Sequence, residues 1–320
     1  MNKKDKKTAV LAVVVPCYNE EAVLEETTRR LTALLQKLKT NGRIDPKSYV
    51  LYVNDGSRDR TWALISQLHA EDAQICGVNL AANVGHQHAL MAGLTVAKES
   101  ADIMVTIDAD LQDDVDAIEQ MIDKYYEGND IVYGVRSSRQ SDTWFKRNTA
   151  LAFYQLMHSM GVKSVYNHAD YRLMSRRAVE QLCQYRERNL FLRGMVPLIG
   201  YKSDCVYYVR SERFAGESKY PLSKMLNFAV DGITSFSVRP VRLVLLLGAL
   251  FLLVALLILV YVLVAYFRGN ALPGWSSLML SVWFCSGCVL VGIGVIGEYI
   301  GKIYIEVKDR PLFNIERVLM

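Results

Sequence analysis

Two kinds of block alternate along the first 135 residues. Short, β-branched apolar runs occupy 9–15, 49–53, 75–80, 102–107 and 130–135. Between them lie stretches with apolar positions three and four apart, at 20–38, from a cap at Ser57 or Asp59 to 70, at 86–97 and at 115–126. The first kind predicts strands buried on both faces, and the second predicts amphipathic helices. Strands alternating with helices predict an α/β fold with a parallel, doubly wound sheet.

The pattern changes near the C-terminus. Residues 243–267 form a run of 25 without a charge, and 276–297 a run of 22. A bilayer core of ~30 Å needs about 20 apolar helical residues. A seven-residue turn, 268–274, separates the runs, so they predict a two-helix transmembrane hairpin. Arg239 and Arg242 precede it, and Lys302, Lys308 and Arg310 follow it. The positive-inside rule then places both chain ends in the cytoplasm, with a multi-pass segment in the cell membrane. Lys3, Lys4, Lys6 and Lys7 lead only into a short apolar run ending at Pro16, which is not a signal-peptide pattern. In 222–238, Met225, Leu226, Phe228, Ala229 and Ile233 alternate with Lys224, Asn227 and Asp231, predicting an interfacial amphipathic helix. The expected domains are 1–221 as the cytoplasmic α/β domain, 222–238 as the interfacial helix, 239–301 as the hairpin and 302–320 as a cytoplasmic tail.

Composition then sharpens the division. The chain has 320 residues, 51% hydrophobic and 22% charged, with a formal net charge of +4. These values exclude a disordered chain, a collagen-like repeat and a small disulfide scaffold. They give little ground for a nucleic-acid partner. The averages blend two regimes, because 243–297 hold one charged residue, Arg268. The six cysteines are expected reduced in a cytoplasmic setting. Cys285 and Cys288 have CxxC spacing inside an apolar run, where close helix contact is a better reading than metal or redox chemistry. Gly292, Gly294 and Gly297 match GxGxxG literally, but no strand precedes them. With Gly301 they read as glycines that let helix backbones approach, within the hairpin or between subunits; the second predicts a homo-oligomer.

Doubly wound sheets bind ligands beyond the carboxyl ends of their strands. Polar clusters fall there: Cys17-Tyr-Asn-Glu20, Asn54-Asp-Gly-Ser57, Asn83-Val-Gly85 and Asp108-Ala-Asp110. Asp108 and Asp110, at i and i+2 just past a strand, suit a hard divalent cation, Mg2+ or Mn2+, that also takes diphosphate oxygens. His86 and His88 read as opening the next helix near a nucleotide rather than as metal ligands.

Taken together, Val14-Val-Pro-Cys-Tyr-Asn-Glu-Glu21, Val53-Asn-Asp-Gly-Ser57, Asn83-Val-Gly-His-Gln87 and Ile107-Asp-Ala-Asp-Leu-Gln112 resemble family 2 glycosyltransferases. The implied fold is GT-A, a Rossmann-like, mostly parallel sheet. Ala169-Asp-Tyr-Arg-Leu173, Arg213-Phe-Ala-Gly-Glu-Ser-Lys219 and the hairpin with its Gly297-Glu-Tyr-Ile-Gly301 exit extend the resemblance to the polyprenyl-phosphate branch. That branch comprises bactoprenol (undecaprenyl-phosphate) glucosyltransferases and dolichyl-phosphate mannose synthases. The resemblance implies that Pro16, Tyr18, Glu20 and Asp55 hold the base and ribose of a nucleotide sugar. Asp108, Ala109 and Asp110 would approach its diphosphate, and Asp108, Asp110 and Gln112 would hold the metal. Arg213 and Lys219 would clamp the diphosphate, and Asp170 would be the catalytic carboxylate. A tetramer is the oligomer the resemblance favours. No tryptophan follows an arginine, so the Gln-x-x-Arg-Trp motif of processive synthases is missing and one sugar per turnover is expected.

The expected reaction is an inverting, in-line displacement that moves one hexose from UDP-glucose to undecaprenyl phosphate. A phosphate monoester has a second pKa of about 6, so this acceptor is largely anionic already and a strong base is not obligatory. Asp170 would accept the residual proton or orient the acceptor; an ion pair with Arg172 or Arg176 is the structural alternative. Arg136, Lys146 and Arg147 are candidate cations for the acceptor phosphate, because arginine can bind phosphate bidentately. UDP-N-acetylglucosamine or GDP-mannose as donor, a non-polyprenyl lipid acceptor and a non-catalytic membrane scaffold are the competing readings.

Overall fold

Leu11–Cys17 is apolar on both faces and forms β1, buried along its whole length at the centre of a sheet. The computed structural model describes residues 8–137, 168–188, 190–210 and 274–320, with scattered positions between 241 and 268. The expected helix at 222–238 and the site candidates Lys146, Arg147, Arg213 and Lys219 lie outside the described residues. The chain divides into two compact units. The first combines Met1–Ala152, Lys163–Tyr220 and Arg310–Met320; the second combines Phe153–Val162 and Pro221–Asp309.

In the first unit, α1 (Leu24–Thr40), β2 (Tyr49–Asn54), α2 (Thr61–Glu71), β3 (Ile75–Leu80), α3 (His86–Ala97), β4 (Ile103–Thr106), α4 (Ala117–Tyr126) and β5 (Ile131–Arg136) follow β1 in the expected alternation. α1 buries Leu24, Leu31, Leu34, Leu35 and Leu38 along one face. Glu25 and Glu26 in its first turn, and Lys37 and Lys39 in its last, complement the helix dipole. After β5 come β6 (His168–Ser175), α5 (Arg176–Leu182), α6 (Leu192–Met195), a 3-10 turn at Val196–Ile199 and β7 (Ser203–Tyr208). Ser175 caps α5 by accepting a hydrogen bond from the Ala178 amide.

The eight-stranded order is β7-β5-β6-β4-β1-β2-β3-β8, where β8 is Ile315–Leu319. β1, β2, β3 and β4 pair in parallel, as do β5 and β7; β6 and β8 run against their neighbours. The mostly parallel sheet agrees with expectation. The segment expected as a tail, 302–320, does not remain one: its last residues add a strand to the β3 edge.

α3 lies close on the sheet because residue 93 is glycine. A Cβ there would meet Val14 Cγ1 at 2.5 Å and Val53 Cγ2 at 2.7 Å. Gly93→Val is expected to cost about 2 kcal/mol through overpacking. Thermal unfolding of the full chain in detergent, followed by tryptophan fluorescence, should show a Tm lower by several degrees.

The second unit contains α7, Trp275–Val307. Among the described residues one helical stretch, Phe284–Val307, is long and apolar enough to cross a membrane. α7 begins one residue before the expected second span and ends ten beyond it. The expected first span, 243–267, is helical at the positions described there.

Candidate active site

The loops after β1 to β4 meet on one sheet edge because those strands are parallel. β6 runs the other way, so its first residues, not its last, reach that edge. Thr106 at the end of β4 lies opposite Arg172, and Thr106 Oγ1 donates to the Asp170 carbonyl at 2.5 Å. Asp170 therefore arrives beside the acidic loop that follows β4.

That loop is held from several directions. Ala109 is buried, and its carbonyl accepts from Thr27 Oγ1 of α1 at 2.8 Å. Leu111 takes a left-handed backbone (φ 57°) although it is bulky and buried. Such outliers cost energy and concentrate at functional sites. Asp110 Oδ1 accepts from the Gln112 amide at 3.2 Å. Tyr171 Oη donates to the Asp114 carbonyl at 2.8 Å. Asp113 is buried, with Oδ1 accepting from Tyr208 Oη at 2.6 Å and Arg136 Nη2 at 3.3 Å. Burial, with Asp113 beside it, pushes the Tyr208 phenol well up, so it remains a donor. The pair Asp113 and Tyr208 thus fixes Arg136 at the end of β5.

Asp170 is 8% exposed and bracketed by donors. Arg172 Nη2 reaches Oδ1 at 2.5 Å, Arg193 Nη2 reaches Oδ2 at 3.0 Å, and Gln87 Nε2 donates to Oδ2 at 3.3 Å. Burial by itself would raise the Asp170 carboxyl. Arg193, Arg172 and His86 outweigh burial and hold it well below the usual carboxylate range. It is a fixed anion. Arg172 makes the foreseen ion pair, whereas Arg176 pairs with Asp102 at 3.2 Å. His86 Nε2 stands 3.6 Å from Asp108 Oδ1 and 3.9 Å from Asp170 Oδ2, between the two carboxylates.

Asp108 behaves oppositely. Its enclosed position raises its pKa, His86 pulls it down, and Asp113, Asp170 and Asp110 raise it further, to about 6. Its side chain keeps some water access, so a cation can reach it. The oxygen donors suit Mg2+ or Mn2+. Among the described residues no group of three His, Cys, Asp or Glu is placed to hold a metal by itself. One or two carboxylates, with ligand oxygens completing the shell, is the usual arrangement for such a cation. Gln112 fits less well, because its Oε1 already accepts from Arg210 Nη2.

On the other side of the edge, Asp55 is buried and both its oxygens are in use. Oδ1 accepts from the Val84 amide at 2.7 Å; Oδ2 accepts from the Gly85 amide at 3.0 Å and from Asn83 Nδ2 at 3.2 Å. Asp55 ties the loop after β3 to the loop after β2. Gly56 (φ 61°) permits their approach, since a Cβ there would lie 2.5 Å from the Asn83 nitrogen. Pro16 is buried within β1, while Tyr18 is exposed at 43% and Glu20 is partly exposed. Asn19 between them has a left-handed backbone (φ 56°).

The structure thus brings Tyr18, Glu20, Asp55, Asp108, Asp110, Arg136 and Asp170 to one edge. It also places His86, Gln87, Arg193 and Tyr208 there, whose contacts the sequence did not disclose. His86 and Gln87 stood within a recognised motif, but no spacing signal marks Arg193.

The model of glycosyl transferase family 2 matches residues 12–183. The uncharacterized glycosyltransferase YkoT of Bacillus subtilis is 52% identical over 96% of this chain and 91% of its own. The prophage bactoprenol glucosyl transferase homolog of Escherichia coli is 39% identical over 96% of this chain and 99% of its own. The bactoprenol glucosyl transferase of Shigella phage SfII is 39% identical over 96% and 97% respectively. The family match spans the loops after β1 to β4 together with Asp170, and the relatives are similar over 96% of the chain: this chain is a hexosyltransferase of glycosyl transferase family 2.

Proposed function

We propose that the protein transfers one glucose from UDP-glucose to a polyprenyl phosphate, undecaprenyl phosphate, at the cytoplasmic face of the membrane, with inversion and with Mg2+ or Mn2+. The observation that carries this reading is the near-full-length similarity to bactoprenol glucosyl transferases. The carboxylates at the end of β4 are consistent with it.

Asp108 and Asp110 would hold the cation, which supplies positive charge to the departing diphosphate. Tyr18, Glu20 and the loop tied by Asp55 would receive the nucleoside. Arg136, fixed by Asp113 and Tyr208, would meet the acceptor phosphate, joined by Lys146 and Arg147. Arg213 and Lys219 would close over the donor diphosphate. Asp170 orients rather than deprotonates: a carboxylate held by two guanidinium groups is a weak base, and the acceptor phosphate is already anionic.

The membrane assignment draws support from the sheet. Residues up to 208 and residues 315–319 share one sheet, so a crossing by Phe284–Val307 would need a second crossing to bring the chain back. The apolar run 243–267 would supply that second crossing. The edge-on contact of the Phe251 and Phe284 rings, 5.5 Å apart at 75°, fits two helices side by side. Both termini would then lie on the side of the catalytic domain. The domain limits we propose are those expected above, with β8 joined to the catalytic sheet. The glycines of α7 favour a homo-oligomer, a tetramer by resemblance; crosslinking in membranes that captured only monomer would reject it.

Purified protein given undecaprenyl phosphate, Mg2+ and labelled UDP-glucose is expected to form lipid-linked glucose. UDP-N-acetylglucosamine and GDP-mannose should be poorer donors. No lipid-linked sugar from any donor would overturn the proposal, and transfer only to a diacylglycerol would replace the acceptor.

A further inference from the structure

β8 does more than cover the β3 edge. It pairs antiparallel, with Gly77 opposite Leu319, Val78 opposite Val318 and Asn79 opposite Arg317; a register shift between Asn79 and Leu80 then sets Leu80 opposite Ile315. The Ala81 amide continues the contact by donating to the Asn314 carbonyl at 2.9 Å. At the shift, Asn79 Nδ2 donates to Glu316 Oε2 at 2.6 Å. The other end of the same amide, Oδ1, accepts from Asn54 Nδ2 at 2.6 Å. Asn54 is buried at the end of β2, and its own Oδ1 accepts from the Ser57 amide at 3.3 Å. Ser57 Oγ accepts from the Asn19 amide at 3.0 Å. Asn19 Oδ1 accepts in turn from the Arg58 amide at 2.9 Å.

These bonds form a continuous chain: Glu316, Asn79, Asn54, Ser57, Asn19. It starts on the last strand and ends between Tyr18 and Glu20. Edge protection explains the backbone pairing of β8. It does not explain two carboxamides in series, pointing from the edge strand to the loops after β1 and β2. An ionised acceptor at 316 makes the outermost bond charge-assisted and so stronger than a neutral one. It also fixes which way the Asn79 amide faces, since Nδ2 must meet the carboxylate and leave Oδ1 for Asn54.

We propose that Glu316, Asn79 and Asn54 are positioning residues for the nucleoside diphosphate of the donor. The C-terminal strand sets the loop after β1 without touching the donor itself. This rests on the placement of the donor nucleoside at Tyr18 and Glu20 under Proposed function.

The test uses the full chain in detergent. Glu316→Ala should weaken UDP binding by calorimetry, and raise the KM for UDP-glucose, about three- to tenfold, the worth of one net hydrogen bond. The kcat, the KM for the polyprenyl phosphate and the Tm should stay unchanged. Glu316→Gln keeps an acceptor oxygen and should recover most of the affinity. Arg317→Ala, on the same strand, should bind UDP like wild type. Wild-type-like UDP binding by Glu316→Ala, no recovery in Glu316→Gln, or a fall in kcat in place of a rise in KM would each overturn the assignment. If the wild-type protein bound neither UDP nor GDP, the donor reading would fall and take this assignment with it.

Discussion

Asp110→Ala is expected to lower hexose transfer by roughly two to three orders of magnitude, the equivalent of about 3–4 kcal/mol of lost charge stabilisation. The loop carrying Asp110 is strained at Leu111 and anchored through Ala109 to α1. Its backbone therefore should not collapse when one side chain is shortened, and the loss should appear in transfer rather than in folding. Asp108 makes the loss dependent on pH. Its pKa near 6 means that a proton competes with the cation in mildly acidic solution. Apparent Mn2+ affinity should thus weaken as pH falls through about 6 and level off above it. Activity titrated with Mn2+ at several pH values checks both statements. A near-wild-type rate in Asp110→Ala, or a metal requirement independent of pH, would remove these carboxylates from the metal site.

The second large effect is expected at Asp170. Asp170→Asn removes the charge that two guanidinium groups share and leaves Arg172 buried with an incomplete partner set. Breaking a buried pair from one side costs roughly 3–5 kcal/mol. Transfer should fall about a hundredfold or more, with a lower Tm. The pH profile separates orientation from base catalysis. The native carboxyl is held well below its unfolded value of about 3.9, so its stabilising contribution is complete above that value and disappears only as pH falls through the depressed one. An orienting Asp170 consequently gives no acid limb of its own between pH 5 and 8. An acid limb in that range that vanished in Asp170→Asn would make Asp170 a base after all.

The alternation of apolar runs was enough to read β1 to β5, because parallel strands buried on both faces are continuous hydrophobic words such as Leu-Ala-Val-Val-Val. The strands beyond them escaped that reading. β6 carries Asp170 and Arg172 inside the sheet, so its polarity hides a buried strand until the ion pair is seen. β7 has an alternating, half-exposed pattern, and β8 is a five-residue segment with two charges. Each gains its identity from the neighbour it pairs with, which lies far away in sequence.

The same distinction runs through the site. Local chemistry determined the acidic loop after β4, the turn after β2 and the apolar runs near the C-terminus, since each depends on residues a few positions apart. Only the tertiary structure decided that Asp170 is a clamped anion, that Asp55 spends its oxygens on the loop after β3, and that the final strand returns to the catalytic sheet. Beside the near pair Arg172 and Asp170, those outcomes depend on contacts between distant residues, from Arg193 with Asp170, 23 positions apart, to Glu316 with Asn79, 237 apart. Charge and hydrogen-bond strength are set by who stands within about 3 Å, and chain order does not carry that information.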